Sequence, residues 1–568
     1  MPTTSRPCGP VDEGRVVSGN AFQDLRYGMG KLLYATPIYR YTLVGRAPNE
    51  LAVVPPDSWP GNAERGSAIS AGELSFLGET VRGGKHAWHP VGMSDAWLAE
   101  LHGFDWLRDL RAVGGDAARR KARDLVGDWV ERQSGWQEIA WRPDVLATRL
   151  HAWLGQHDFF CASADDLYRR RYLATIARQS KHLARVLPGG VEGAGLIRAA
   201  KGLIAAGVAL PDNDSAIRQG LKILERAVDR QIRPDGGHVS RNPQTQETVL
   251  RDLVDVRSAL LASGTDIPSF LLAAIDRAAP FLRMLRHNDG GLALFNGSGE
   301  GEDWLIDMLL TQADARGRPP AHAPHSGFER LVANRTVVLL DTGVPPQAGL
   351  DTTAHAGTLS MEVSIAKERL ITNCGARPGN RDPWAAVQRS TAAHSTMVID
   401  DTNSSEILTD NTFGRRPTDV TAERKEDDGS HWISAQQDGY VPVFGLAHER
   451  RVYMAAGGED IRGEDALLRA GASGNTRPAR GFALRFHLHP TVQASLVQNG
   501  SAVLLRLPSG AGWRLIAEGG TLSLAESVYL GTADEVRRTE QVVVSGTLEA
   551  DTTAARVKWA LKKVPEKT

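Results

Sequence analysis

The sequence predicts an α+β chain in which a helical domain precedes an antiparallel β-sandwich, and three observations predict it. At 568 residues the chain exceeds what a single hydrophobic core supports, so two or more domains are expected. From about Ser94 to Ala315 the apolar residues recur at helical spacing. Beyond Pro324 they fall instead into short runs rich in Val, Leu, Ile and Thr, many bounded by Gly, Asp or Asn. Between the two regimes lies Arg316-Gly-Arg-Pro-Pro-Ala-His-Ala-Pro324, the best linker candidate. The expected division is a lead-in over residues 1–90, a helical domain over 91–315 and a sandwich over 325–568.

The helical stretches are Trp97–Leu110, Ala117–Arg132, Val145–Phe160, Leu167–Leu187, Ala194–Leu210, Gln246–Ala262 and Ser269–Arg286. Between Asp214 and Arg233, Ile217, Leu221, Leu224, Val228 and Ile232 mark one apolar face. Short turns separate the helices, among them Leu187-Pro-Gly-Gly, Leu210-Pro-Asp-Asn-Asp and Arg233-Pro-Asp-Gly-Gly. Helices of similar length with short links imply antiparallel hairpins, and a solenoid fits the same pattern. The expected strands are Thr336–Leu340, Thr358–Ile365, Arg369–Thr372, Thr396–Ile399, Arg451–Met454, Ala502–Leu507, Trp513–Ala517, Val542–Val544 and Ala555–Leu561. Helices first and strands afterwards is a segregated α+β arrangement.

Lys and Arg number 66 against 67 Asp and Glu, a net charge of -1, which removes the basic excess that a nucleic-acid binder needs. A local cationic cleft for an acidic sugar remains compatible with that balance. Cys8, Cys161 and Cys374 are sparse, odd in number and without metal-ligand spacing, so reduced thiols are expected. Met1–Arg6 leads into Cys8 and Pro10 without an apolar signal core. The expected compartment is therefore the cytoplasm, with the periplasm as the alternative. No run approaches the roughly 20 apolar residues of a membrane helix. Oligomeric state is not legible.

Three segments in the middle of the chain resemble the heparinase II/III-like family: Ala354-His-Ala-Gly-Thr-Leu-Ser-Met-Glu-Val363, Arg369-Leu-Ile-Thr-Asn-Cys-Gly375 and Arg389-Ser-Thr-Ala-Ala-His-Ser-Thr-Met-Val398. They are similar to that family's His-Ala-Asp-x-Leu-Ser-Phe strand, its Leu-Val-Asp-x-Gly strand and its Arg-x-Thr-x-Ala-His-Asn-Thr segment, in the same order. Weaker echoes are Leu101-His-Gly-Phe-Asp-Trp106, Gly135-Trp136, Asp235-Gly-Gly-His238 and Asp438-Gly-Tyr440. The resemblance covers about residues 85 to 490. It implies an incomplete (α/α) toroid joined to a β-sandwich, with a cleft between them for an acidic, uronate-containing polysaccharide.

The activity it implies is β-elimination. The C5 proton beside a uronate carboxylate becomes removable when Asn, His or Arg donors neutralise that carboxylate, and a Tyr or His then takes the proton while another protonates the leaving oxygen. The family's Asn-His pair and its Tyr after an Asp-Gly turn are both missing here. Leu187-Pro-Gly-Gly-Val-Glu-Gly-Ala-Gly195 stands at the first position and Asp235-Gly-Gly-His-Val-Ser-Arg-Asn-Pro243 at the second. The substitutes are His238, able to act as acid or base near neutral pH, with Arg241 and Asn242 as substrate donors. The other reading of that loop is that Asn242 caps the next helix and Arg241 is solvated.

Glu192 is a candidate catalytic carboxylate, or a simple helix-terminus residue. Tyr440 is the candidate phenol for proton transfer, or a core tyrosine. Trp136 and Trp141, with Arg142 and Arg149, are a candidate sugar platform, or structural ion pairs. Arg389 contacts a carboxylate or braces its loop. In relatives, residues matching His355, Asn373 and His394 bind zinc. Here Asn replaces a carboxylate and Gly357 replaces an Asp, so the competing reading has His355 and His394 hydrogen-bonding to one another's strands or to substrate. A hydrolase using Glu192, Asp235 or Glu302, and a catalytically silent glycan binder, are the alternative functions.

Overall fold

The computed structural model describes residues 21–45, 47–83, 88–133, 135–377, 384–471, 476–532, 535–549 and 554–565. Cys8 and the segment before it lie outside them. The described residues separate into two compact units. One holds those up to Arg230 together with Asp255–Pro268, and the other holds Gln231–Val254 with Ser269 onward.

The first unit is mostly helical. It contains α1 (Ala21–Tyr34), α2 (Pro37–Leu43), α3 (Ala63–Ser70), a hairpin of β1 (Glu73–Phe76) and β2 (Glu79–Arg82), α4 (Asp95–Gly103), α5 (Leu107–Val113), α6 (Gly115–Arg132), α7 (Pro143–Gly155), α8 (His157–Cys161), α9 (Asp166–Val186), α10 (Gly193–Ala209) and most of α11 (Asp214–Gln231). Side-chain oxygens of Ser94 and Asp165 accept from backbone N–H groups three residues on and start α4 and α9. The stretch expected as one helix over Trp97–Leu110 is two, because Phe104 adopts a left-handed φ of 61°. Val145–Phe160 also divides, at Gln156. Ile232 is not on the helical face of α11: the helix stops at Gln231 and Ile232 forms a β-bridge with His238.

Helix α10 lies tightly on α7. A Cβ at Gly202 would stand 2.4 Å from Ala147 Cβ and 2.5 Å from its Cα, a distance no packed pair tolerates. Gly202→Val is expected to lower the stability of this unit by about 1–3 kcal/mol through overpacking; an unchanged denaturation midpoint would contradict that.

The second unit begins with the last residue of α11 and takes in the start of α12 (Pro243–Ala262), then α13 (Ser269–Met284) and α14 (Asp303–Ala313). The strands follow: β3 (His322–Ala323), β4 (Phe328–Ala333), β5 (Thr336–Asp341), β6 (Met361–Ile365), β7 (Glu368–Thr372), β8 (Met397–Ile399), β9 (Val420–Asp427) and β10 (Ser430–Gln437). After the short helix α15 (Val441–Phe444) come β11 (Leu446–Met454), β12 (Asp460–Arg469), β13 (Gly481–Leu488), β14 (Gln493–Val497), β15 (Ala502–Arg506), β16 (Gly512–Glu518), β17 (Thr521–Tyr529), β18 (Arg537–Thr547) and β19 (Ala554–Lys563).

All the pairings are antiparallel. One sheet runs β14-β15-β16-β19-β12-β11-β10-β9, and the other β17-β18-β13-β7-β6-β5-β4-β3, with β8 also on β13. Val338, Leu340, Val363, Leu484 and Phe486 from the second sheet meet Ile433, Val452, Leu467, Trp513 and Trp559 from the first in one apolar core. The alternation that produces it is plain in β10, where His431, Ile433, Ala435 and Gln437 point inward and Trp432 and Gln436 outward. The fold class expected from the sequence is the one observed, helical first and antiparallel sandwich after.

Candidate functional site

Eight of the residues singled out from the sequence, His238, Arg241, Asn242, His355, Asn373, Arg389, His394 and Tyr440, lie in the second unit, and its loops bring Asn242, His355 and His394 near one another. The turn after α11 closes through Arg233 N–H to Gly237 O (2.8 Å) and Val239 N–H to Gln231 O (2.9 Å). Gly236 sits at φ 93°, and a Cβ at Gly237 would lie 2.1 Å from Ser326 Oγ. Asp235 is spent on this turn, accepting from Ser326 N–H, Ser326 Oγ–H and Gly237 N–H.

His238, the expected acid or base, is 2% exposed. Its Nε2–H donates to Gln231 Oε1 (2.9 Å), while Nδ1 accepts from Ser240 N–H (3.1 Å) and contacts Ser240 Oγ (2.8 Å). Both ring nitrogens are therefore occupied. Burial, reinforced by the charge of Arg233, lowers its pKa to about 4, so the ring is neutral at ordinary pH.

Arg241 is neither solvated nor offered to a ligand. Its guanidinium donates to the carbonyls of Ser326, Gly327, Gly343 and Val344 and to the Asp341 carboxylate, and it lies 4.8 Å over the Phe328 ring. Asn242 caps α12, its Oδ1 accepting from Thr245 N–H at 2.9 Å and its Nδ2 donating to Asn296 O at 2.8 Å. The capping reading of this loop is the one the geometry supports.

The sandwich contributes the histidines. His394 Nδ1–H donates to Ser390 O (2.7 Å), which leaves Nε2 to accept from His355 Nδ1–H (3.0 Å). The chain of bonds fixes both tautomers and leaves the lone pair of His355 on Nε2. That nitrogen would be 3.6 Å from a Cβ at Gly297, and the amide nitrogen of Asn242 3.3 Å from the same point. A Cβ at Gly357 would come within 2.7 Å of the His394 ring. The imidazole pair in this arrangement therefore requires the glycine that replaces the family's Asp.

The donor set does not fit zinc. His394 Nε2 is used by His355, and Asn373 supplies an amide rather than a carboxylate. That amide is also committed, with Nδ2 donating to Glu362 Oε1 (3.2 Å) and Oδ1 accepting from Ser395 N–H (2.9 Å). Glu362 is saturated in turn, by Asn373 N–H (2.8 Å), His287 Nε2–H (2.8 Å) and Leu294 N–H (3.1 Å).

Tyr440 is a core residue, 0% exposed, donating to Met397 O at 2.8 Å; burial pushes its phenol upward, away from any role as a base. Arg389 braces its loop, donating to Ala354 O (2.8 Å), Asn411 O (2.8 Å) and Asp351 O (3.0 Å).

In the first unit, Glu192 is exposed at the start of α10 and makes no capping bond. Arg142 is held in a two-pronged pair with Asp144 (2.6 and 2.8 Å). Arg149 is buried 4.2 Å over the Trp129 ring and bonded to Gln179 and His102 O. Burial lowers its pKa to about 9. Trp141 is buried, and Trp136 is half-buried beside Tyr34. These four side chains do not form an open sugar platform.

Two further stretches of the sequence, the Gly-rich acidic run Asn288–Asp303, expected as a rim loop, and Arg485-Phe-His-Leu-His489, expected as a half-exposed strand or a metal pair, meet in one group. Glu300 accepts from Tyr529 OH and lies 3.6 Å from His489 Nε2, and the rings of His489 and Tyr529 are 5.1 Å apart. Burial would raise the Glu300 pKa, yet His489, the Arg369 guanidinium and the Tyr529 hydroxyl bring it down to about 2. Glu300 N–H also donates to Gly531 O (2.8 Å), so the group locks the glycine-rich loop Asn296–Gly301 onto β17 and the end of β13. The run of Gly and acids over Asn288–Asp303 was the available signal, but nothing in it pointed to Tyr529, which lies 229 residues further on.

A helical region followed by this sandwich is the scaffold of polysaccharide lyases. A solved heparinase III superimposes with a TM-score of 0.71 at 16% identity, over 96% of this chain and 92% of that one. A heparan sulfate lyase from Pedobacter heparinus gives 0.62 at 14%, over 97% and 92%. A Streptomyces coelicolor chondroitin AC lyase solved with chondroitin sulphate gives 0.52 at 12%, over 95% and 82%. The family described as "Heparinase II/III N-terminus" matches residues 87–307, and "Heparinase II/III-like, C-terminal" matches residues 315–560. A curated relative from Caulobacter vibrioides, "FtsZ-localized protein C", is 32% identical over 532 residues, 91% of each chain. The chain belongs to the heparinase II/III-like family.

Proposed function

We propose that this protein binds an acidic polysaccharide on the lyase scaffold and does not cleave it by elimination through His238. One observation carries the reading: the imidazole at the expected base position is buried, neutral and bonded at both nitrogens. A proton acceptor must present a lone pair to substrate, and His238 presents none. The solved neighbours include a heparan sulfate lyase and a chondroitin AC lyase in complex with chondroitin sulphate, which supports an acidic glycan as the ligand class. The Caulobacter relative is named for its localisation, which fits a binding role. The place for the glycan is the exposed loop at Thr353, because the backbone behind it is packed: a Cβ at Gly297 would stand 2.6 Å from Thr353 O and 3.6 Å from the buried His355 Nε2.

Incubation with heparan sulfate, chondroitin sulfate and polygalacturonate is expected to yield no ultraviolet-absorbing unsaturated uronate. Retention on at least one of these polymers, immobilised, is expected, and Thr353→Asp weakens it about fivefold by adding a like charge. Unsaturated product from the wild type, with none from His238→Ala, would overturn the proposal.

Elimination by other groups is the second reading. It is favoured by His489, a half-buried imidazole at the edge of the sandwich whose ring lies 5.1 Å from that of Tyr529. Unsaturated product that persists in His238→Ala and disappears in His489→Ala would establish it.

A further inference from the structure

Outside the site described above, a concavity of about 560 Å³ lies on the outer face of the β14-to-β9 sheet. The strand registers show how it is built. One row of outward side chains crosses six strands: Lys425 is opposite Trp432, Trp432 opposite Tyr453, Tyr453 opposite Arg462, Arg462 opposite Ala560 and Ala560 opposite Ile516. The adjacent row reads Glu423, Ser434, Arg451, Glu464, Lys558, Glu518 by the same pairings. At about 4.8 Å between strands, each row is roughly 24 Å long.

The first row is a floor of rings and apolar groups. Trp432 is 37% exposed on an outer strand face, with its ring 5.0 Å from that of Tyr453. Lys425 Nζ is 5.7 Å from the Trp432 ring and the Arg462 guanidinium 5.9 Å from the Tyr453 ring. The second row alternates in sign. Arg451 reaches Glu449 at 2.9 Å and Glu464 at 3.6 Å, whereas Lys425 and Lys558 have no ion-pair partner among the described residues.

We infer that this groove is a second glycan-binding surface, one that takes an extended oligosaccharide lying across the strands. A sugar ring has an apolar face that buries well on an aromatic side chain. Its edge carries hydroxyls that both donate and accept, and a row of alternating carboxylates and cations meets both needs. A nucleic acid would call for one sign of charge along the row. A peptide adding as a strand needs free backbone groups; of the six strands under the rows only β9 is at the sheet edge, and a strand added there would lie beside the rows rather than along them.

The experiment is an array of neutral and acidic oligosaccharides, from trisaccharides to octasaccharides, probed with the full-length protein and three variants. Wild type is expected to be retained on at least one longer oligosaccharide. Trp432→Ala weakens that retention about tenfold or more, on the scale of one ring stacked on an aromatic side chain, and Trp432→Phe holds it within about threefold because the platform persists. Trp432 is at the surface, so melting temperatures stay unchanged and the loss reports binding. No retention of the wild type, or equal retention of Trp432→Ala, overturns the inference. This groove shares no residue with the Thr353 loop: loss in Trp432→Ala but not in Thr353→Asp assigns binding to the groove, and the reverse pattern removes the groove and leaves the other site standing.

Discussion

Arg241→Ala is expected to unfold the second unit at a much lower denaturant concentration, with a loss of about 3–5 kcal/mol. The guanidinium is buried and holds four carbonyls and the Asp341 carboxylate. Its removal leaves Asp341 in the interior with Asn296 Nδ2 (3.2 Å) and Gly343 N–H (3.3 Å) as the donors to its side chain among the described residues. An uncompensated buried charge costs more than the pair was worth. A domain is stable by about 5–15 kcal/mol in all, so the change takes a large share.

The backbone sharpens the test. Arg241 sits at φ 55°, a left-handed conformation that costs a non-glycine residue about 1–2 kcal/mol. Arg241→Gly, which loses the same hydrogen bonds but not the backbone comfort, is expected to be less destabilised than Arg241→Ala by about that amount. If both variants melt like the wild type and only glycan retention falls, Arg241 is a ligand donor and not a brace.

Acidification is the second large effect. Burial holds His238 at about 4 and His487 at about 3 in the second unit, and His102 and His182 at about 3 in the first. In the unfolded chain each titrates near 6.5. Above that pH neither state binds the protons, and stability is at its plateau. As pH falls from about 6.5 towards 4, the unfolded chain takes up protons that the folded chain refuses, so stability drops by about 1.4 kcal/mol per pH unit for each such histidine. Below about 4 His238 begins to protonate in the folded state, and the other three follow below about 3, where this contribution levels off, while Glu300 and Asp465, held at about 2, add losses of their own. Urea midpoints measured across this range should fall steeply between pH 6 and 4. A flat profile there would mean that these imidazoles are hydrated or charged in the native state.

The same residues show how far the sequence could be read. The imidazole at 238 was legible as a feature of an Asp-Gly-Gly turn, and Asn242 before Pro243 was legible as a cap. Whether His238 had a free lone pair was not, because its partner Gln231 ends the preceding helix and its partner Ser240 follows two residues later in an irregular turn. Periodicity also carried Ile232 one residue too far into α11, since a β-bridge to His238 competes with the helix there. His355 and His394 were legible as a pair. That they bond each other depends on the bare Cα at Gly357 and on Ser390 O, which only the folded loop places.

What the sequence determined by itself was the class of each segment: 3.6-residue periodicity in the first half, short β-branched runs in the second, a Pro and Gly linker between, and three motifs in family order. Those signals are local, set by which face of a helix or strand is apolar, so they survive without coordinates. The tertiary structure alone decided which polar groups are spent and which are available. Hydrogen bonding and burial depend on partners as far apart as Glu300 and Tyr529 or Arg241 and Asp341, and a buried group's reactivity is set by what surrounds it rather than by its own identity. The two outward rows of the sandwich follow the same logic: Lys425, Trp432, Tyr453, Arg462, Ala560 and Ile516 are scattered through the sequence and become neighbours only through strand register.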